Sequence, residues 1–146
     1  MKENGLLEGI YLAHQWLSTL ESTPRDYGTG DLLFSADIHT VVAISRKPGC
    51  SLTELATFLS ISKAAVSKFV NKLERLGYVI KPIAPQGGRA VALQLTRKGI
   101  SAVNAHSAFE KKVFGPLRQI EKSLSQSEYA AVARFLSLLQ KAVTPE

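Results

Sequence analysis

The sequence predicts a mainly α-helical fold with a small β-hairpin wing: a winged helix-turn-helix with further helices at both ends. Three observations predict it. Apolar residues recur at helical spacing in six segments, a turn of about three residues separates the third and fourth segments, and strand-like alternation separates the fourth from the fifth. The chain has 146 residues, enough for one core and too few for two sizeable domains, so we expect a single domain over residues 1–146.

The first two predicted helices flank a polar loop. Residues 4–21 form the first, with Leu6, Ile10, Ala13, Leu17 and Leu20 at helical spacing before Pro24. After a loop rich in Gly, Asp and Thr, we expect Ser35 to cap a second helix that ends at Lys47, Pro48 and Gly49.

The third and fourth helices have clear start signals. Ser51 and Glu54 have the spacing of a capping box, and Ser62 opens the fourth helix after the short turn. Gly77 is expected to end that helix in a left-handed conformation. The apolar residues of the fourth helix, which we expect in the core, are Val66, Phe69, Val70, Leu73 and Leu76.

The remaining segments form the hairpin and two more helices. Residues 78–83 are β-prone, residues 85–88 form a turn, and Val91, Leu93 and Leu95 alternate with more polar positions. Thr96 is expected to cap a fifth helix that Gly115-Pro116 bends. Ser125 and Glu128 repeat the capping-box spacing and open the sixth helix.

The positive charge of the chain is concentrated in one segment. The whole sequence has a net charge of +6, but residues 61–99 hold eight basic residues and one acidic residue. The rest of the chain has a net charge of −1. This distribution is typical of a surface that binds a polyanion, although a solvated basic face would have the same composition.

The fourth helix carries residue types that suit DNA recognition. Lys and Arg neutralise phosphates, Asn can pair with an adenine edge, Ser can bond a phosphate or a base, and Ala permits close approach in the major groove. We expect Lys68 and Lys72 to contact the DNA backbone, and Ser67 and Asn71 to help read bases. The predicted DNA-binding residues of this helix are Ser62, Lys63, Ala64, Ser67, Lys68, Asn71, Lys72 and Arg75.

Four short motifs resemble the MarR family of bacterial and archaeal transcription regulators. They are Leu52-Thr53-Glu54-Leu55-Ala56, Ser62-Lys63-Ala64-Ala65-Val66-Ser67, Leu73-Glu74-Arg75-Leu76-Gly77-Tyr78-Val79 and Leu95-Thr96-Arg97-Lys98-Gly99. The resemblance implies a DNA-binding lobe over residues 33–99 and dimerisation helices over residues 1–22 and 97–146. It further implies a homodimer on a pseudo-palindromic operator of double-stranded DNA, acting as a repressor that a small ligand releases.

The wing departs from the family pattern. Family members carry an acidic residue, a proline and an arginine at its tip, whereas this chain has Ala84, Pro85 and Gln86, followed by two glycines. Arg89 matches the family's later arginine. We therefore predict that Arg89 contacts DNA, with bracing of the hairpin as the alternative.

The resemblance also implies ligand sites outside the DNA-binding lobe. Many relatives respond to small aromatic or phenolic compounds, and we predict His14, Trp16 and His39 as effector-binding residues. Other relatives sense zinc at positions that correspond to His39, His106 and Glu110. Because the second histidine one turn after His106 is missing, we predict no metal site and no cofactor.

Several classes of protein are excluded or disfavoured. A single cysteine, Cys50, rules out an intramolecular disulfide and a four-cysteine zinc site. No catalytic motif is present, so we expect no enzyme, and without a membrane-length apolar run or export signal we expect a cytoplasmic protein. The alternatives to a specific regulator are a sequence-indifferent DNA binder, a protein-interaction module and a zinc-responsive sensor.

Overall fold

The structure is a computed structural model that describes residues 5–82 and 92–143. It divides into two compact units, Met1–Ser107 and Ala108–Glu146. The helices are α1 (Leu6–Ser22), α2 (Ser35–Arg46), α3 (Leu52–Leu59), α4 (Lys63–Arg75), α5 (Arg97–Ser123) and α6 (Gln126–Val143). The strands are β1 (Arg25–Asp26), β2 (Leu32–Leu33), β3 (Val79–Ile80) and β4 (Gln94–Leu95). The mainly α-helical architecture with a small hairpin is therefore confirmed, whereas the single-domain boundaries stay a prediction.

The core of the first unit lies among α2, α3 and α4. Each of these helices has one apolar stripe, and burying the three stripes against one another removes them from water. Ile38 of α2, Leu55 of α3 and Val66 of α4 are fully buried. Phe69 and Leu76 differ from the expectation, since both are only half-buried.

The predicted capping boxes are present with one correction. Ser51 accepts a bond from the Glu54 N–H, and Glu54 accepts one from the Ser51 N–H at 2.7 Å. At α2 the expected cap, Ser35, is instead the first helical residue. The carboxylate of Asp37 accepts the N–H of Phe34, because its longer side chain can reach back to the free donor before the helix.

The turn between α3 and α4 depends on a left-handed residue. Ser60 has φ 54° and ψ 39°, a conformation that reverses the chain at the end of a helix. Ser62 follows as the N-cap of α4, with its side chain accepting the Ala65 N–H at 3.1 Å. Gly77 has φ 79° after α4, as the sequence predicts. These residues fix where the second helix of the helix-turn-helix begins and ends.

The base of the predicted wing is an antiparallel pair. Val79 lies opposite Leu95, and Ile80 lies opposite Gln94. Leu93 exchanges backbone bonds with Gly49 and Cys50, both at 2.9 Å, so the segment after α2 supports the hairpin. The hairpin tip, including the predicted turn at 85–88, lies outside the described residues.

A second two-stranded ribbon, β1 with β2, was not predicted. It lies in the segment that we expected to be a loop. Asp26 accepts the N–H groups of Thr29 and Gly30, which closes a tight turn between two strands too short to show alternation.

The second unit contains the later part of α5 and α6. The α5 helix continues through Pro116, and Glu128 accepts the Ser125 N–H at 2.8 Å before α6. The side chains of α6 remain unburied. An apolar cleft of about 340 Å³ lies between residues of the two helices. Its apolar lining consists of Leu117, Ile120, Leu124, Tyr129, Val132, Ala133 and Leu136.

Candidate nucleic-acid interface

The exposed face of α4 presents most of the predicted DNA-binding residues together. Because Val66, Val70 and Leu73 face the core, helical periodicity turns the polar residues outward. The exposed members of the predicted set are Ser62, Lys63, Ala64, Lys68, Asn71 and Arg75. Ser67 and Lys72 are half-buried and flank that face.

Lys72 forms an ion pair with a buried carboxylate. Its Nζ lies 2.5 Å from Oδ2 of Asp37, a side chain that is 2% exposed. The ammonium also lies 5.6 Å from the centroid of the Phe34 ring, within cation–π range. A buried carboxylate requires such a partner, so Lys72 attaches α4 to α2. The sequence analysis predicts that Lys72 contacts a DNA phosphate, and the ion pair with Asp37 is not part of that prediction.

Lys81 attaches the other side of α4 to the wing. Its Nζ lies 2.5 Å from Oδ1 of Asn71 and 2.8 Å from a carboxylate oxygen of Glu74. Lys81 directly follows β3, so these contacts join the base of the hairpin to the exposed face of the helix. No local sequence pattern indicates this cluster, because its members are up to ten residues apart.

A third lysine holds the end of α4. Lys98 pairs with Asp31 at 2.5 Å, donates to the Leu76 carbonyl oxygen at 2.9 Å and lies 4.7 Å from the Tyr78 ring centroid. The Tyr78 hydroxyl donates to Asp31 at 3.0 Å. Bonds from Lys98 and Tyr78 lower the pKa of Asp31, and burial raises the pKa of Tyr78 to about 12.

The start of α5 packs directly against the residue after Gly77. The Thr96 hydroxyl donates to the Gly77 carbonyl oxygen at 2.6 Å and accepts the Gly99 N–H, which confirms Thr96 as a cap. A Cβ at position 99 would lie only 2.4 Å from the carbonyl oxygen of Tyr78. The motif Leu-Thr-Arg-Lys-Gly therefore packs against the backbone that directly follows α4.

These contacts divide the basic residues into two groups. Lys72, Lys81 and Lys98 pair with carboxylates of the same chain. Among residues 61–82 and 92–99, the exposed cations without an ion pair to a described residue are Lys63, Lys68, Arg75 and Arg97. Arg89, the predicted wing contact, lies outside the described residues.

An amphipathic cleft adjoins the interface between α2 and α4. It has a volume of about 270 Å³ and is lined by Phe34, Asp37, Lys68, Phe69, Lys72 and Arg75. Two aromatic rings thus lie beside three cations and one carboxylate. Nothing in the sequence pattern indicated this cleft, because its lining comes from two helices.

The predicted effector residues lie on two different helices, α1 and α2. His39 is exposed on α2 and meets buried His106 edge to face, with ring centroids 5.3 Å apart. His14 and Trp16 lie exposed on α1. Across residues 5–82 and 92–143, no three His, Cys, Asp or Glu side chains converge as metal ligands, whereas a structural zinc takes four. The described residues therefore do not fit a closed zinc site.

The model of the MarR family matches residues 33–90, the segment that contains the helix-turn-helix and its wing. Over this segment the chain resembles the MarR family. MarR-type relatives include the HTH-type transcriptional regulator BilQ of Clostridioides difficile, 27% identical over 68% of this chain and 66% of that protein. The transcriptional regulator ZitR of Lactococcus lactis is 29% identical over 73% of each chain.

A solved structure of the MarR-type ZitR shares the fold. Wild-type Lactococcus lactis ZitR in complex with DNA has a TM-score of 0.77 at 20% identity, over 96% of this chain and 99% of that one. The match to BilQ spans slightly less than two thirds of that regulator. The relatives are transcriptional regulators and not enzymes. Within the described residues, no helix is both long and apolar enough to cross a bilayer.

Proposed function

We propose that this chain is a sequence-specific DNA-binding transcriptional regulator that inserts α4 into the major groove. The observation that carries the proposal is the set of exposed cations on a helix whose flanks are anchored by Lys72 and Lys81. Lys63, Lys68 and Arg75 face solvent on α4. Such a face can neutralise phosphates, while Ser67 and Asn71 offer polar groups to bases.

We further propose a homodimer. Exposed apolar side chains occur on both terminal helices, including Leu6, Leu7 and Tyr11 of α1 and Val132, Leu136 and Leu138 of α6. Apolar side chains left exposed on a helix are typical of a surface that contacts another chain. Two copies related by a two-fold axis match a pseudo-palindromic operator.

The regulator is proposed to act in the cytoplasm as a repressor that a small aromatic ligand releases. The predicted effector residues are His14, Trp16 and His39, and the cleft beside Phe34 offers a second location for an aromatic anion. A titration with benzoate that lowers affinity for operator DNA supports this regulation. If benzoate binds at the predicted effector residues, Trp16→Ala should weaken its effect on DNA affinity. If benzoate binds in the cleft beside Phe34, Phe34→Ala should weaken that effect.

The decisive experiment compares DNA upstream of the chain's own gene with unrelated DNA over a range of salt concentrations. We expect tighter binding to the upstream DNA, a steep salt dependence and a dimer on the same sample by light scattering. Equal affinity for both DNAs favours the sequence-indifferent binder. A monomer without salt-dependent binding favours the protein-interaction module.

The dimer part of the proposal has its own variant. Leu136→Glu places a charge on exposed apolar surface of α6, so we expect it to weaken self-association. Gln119→Glu, an exposed change on α5, is the control for one added negative charge. A dimer that withstands Leu136→Glu contradicts an interface at this position. The zinc-responsive alternative requires stoichiometric zinc that alters DNA affinity in the same assay.

A further inference from the structure

The cluster of Asn71, Glu74 and Lys81 lies where the base of the wing meets the exposed face of α4. We infer that Lys81 is a specificity-determining positioning residue: it fixes the Asn71 amide so that its NH₂ group is directed at the DNA bases. This inference rests on the proposed function, since it assigns a role within the same DNA-reading surface. It concerns a residue of the hairpin and not the reading helix itself.

The chemistry of the contact determines how the amide is oriented. An ammonium has only donors, so the Asn71 atom that faces it at 2.5 Å must be the carbonyl oxygen. The other end of the amide, with two donors, then points away from Lys81. Asn71 is exposed on the face that carries Lys68 and Arg75, so its NH₂ group remains accessible to a ligand.

Glu74 distinguishes this role from a phosphate contact. Its carboxylate lies 2.8 Å from Lys81 Nζ, which compensates the ammonium within the protein. The Lys81 side chain is only 20% exposed. Two partners on one helix therefore hold the lysine toward α4.

An Asn71 NH₂ group held in this orientation should prefer bases that present a hydrogen-bond acceptor. In the major groove, purine N7, guanine O6 and thymine O4 accept hydrogen bonds, whereas cytosine N4 donates one. A fixed NH₂ group bonds the acceptors and meets the cytosine amino group donor to donor. An amide free to rotate by 180° could accept from cytosine as well, so losing Lys81 should relax the preference at that base pair.

The test is selection of binding sites from a randomised DNA duplex pool. Asn71→Ala identifies the base pair that Asn71 reads. Lys81→Met, which removes the donor but keeps the aliphatic chain, should reduce discrimination against cytosine there by about fivefold, the effect of one hydrogen bond. Lys81→Arg retains a donor and should keep the preference. Lys122→Met, an exposed lysine of α5, is the matched control for loss of one positive charge.

A second readout does not depend on DNA. The NMR signals of the Asn71 side-chain amide in the free protein should shift in Lys81→Met and not in Lys122→Met. Lys81→Ala replaces Lys81→Met if the latter fails to fold in thermal melting. The inference is overturned if Lys81→Met discriminates against cytosine as well as the wild type does. If Lys81→Met also reduces the salt slope of DNA binding by about one, Lys81 contacts a phosphate instead. A wild-type protein that selects no sequence instead refutes the proposed function.

Discussion

The ammonium of Lys72 lies 2.5 Å from the carboxylate of Asp37, which is buried between α2 and α4. Lys72 therefore stabilises the packing of α4 on α2, in addition to contributing positive charge to α4. We predict that Lys72→Ala lowers the free energy of unfolding by about 2 kcal/mol, because Asp37 keeps its burial and loses its counter-charge. Urea denaturation measures this change.

Lys68→Ala is the matched control for Lys72→Ala. Lys68 is exposed on the same helix and forms no ion pair within the described residues. It should leave the free energy of unfolding nearly unchanged and reduce the salt slope of DNA binding by about one. Equal stability of the two variants would show that the Asp37 contact contributes little.

Gly99→Ala should destabilise the protein strongly. A Cβ at this position lies 2.4 Å from the Tyr78 carbonyl oxygen and 3.3 Å from Leu95 side-chain atoms, so backbone must move. We expect a loss of about 2 kcal/mol or more, measured by thermal and urea unfolding. Gly9→Ala is the control. Apart from its chain neighbours and the nearby backbone of its own helix, no described atom lies within 4 Å of the added Cβ, so the change should be neutral or stabilising by about 0.5 kcal/mol. A Gly99→Ala protein as stable as Gly9→Ala contradicts the packing.

Tyr78 should make stability fall at alkaline pH. Its pKa is about 12 in the folded protein against an ordinary 10.0. The unfolded chain therefore releases its proton first, the folded state holds more protons, and stability decreases as pH rises from 10 to 12. The full effect is about 3 kcal/mol.

The Tyr78 prediction is checked against Tyr78→Phe. Unfolding by urea at about pH 9 and about pH 11 should show a larger loss for the wild type than for Tyr78→Phe, which has no proton to release. The variant itself is expected to be less stable at the lower pH, because Thr29 and Asp31 lose a hydrogen-bond partner. Parallel losses in both proteins would remove Tyr78 as the cause.

Cys50 should react slowly in the folded protein. The residue is 7% exposed, and burial, with Glu54 as a smaller contribution, raises the pKa of its thiol. Both effects reduce the reactive thiolate. Alkylation by iodoacetamide, followed by mass spectrometry, should be at least about tenfold slower in buffer than in urea. Equal rates would show that the thiol is accessible in the folded protein.

Local signals in the sequence predicted the helices well. Capping at Ser51, Ser62 and Ser125 depends on residues three positions apart, so it is visible without a fold. The β1–β2 ribbon was missed because two-residue strands show no periodicity. Asp37 was missed as a capping residue because Ser35 is the residue type that is more familiar at a helix start.

The candidate site was predictable only in outline. Periodicity placed the polar residues on one face of α4, and that face is exposed. It could not show which lysines have internal partners, because Asp37 and Lys72 are 35 residues apart and Lys98 reaches a carbonyl 22 residues away. The net charge of residues 61–99 therefore overstated the charge available to DNA.

The two anchors of α4 also determine how binding is driven. In the proposed binding mode, a helix fixed to α2 by Lys72 and to the hairpin by Lys81 needs no rearrangement to enter the groove. Little conformational entropy is then lost in ordering the reading surface when the complex forms. Association with DNA is expected to resemble docking of a rigid body, without the large negative heat-capacity change that accompanies folding upon binding.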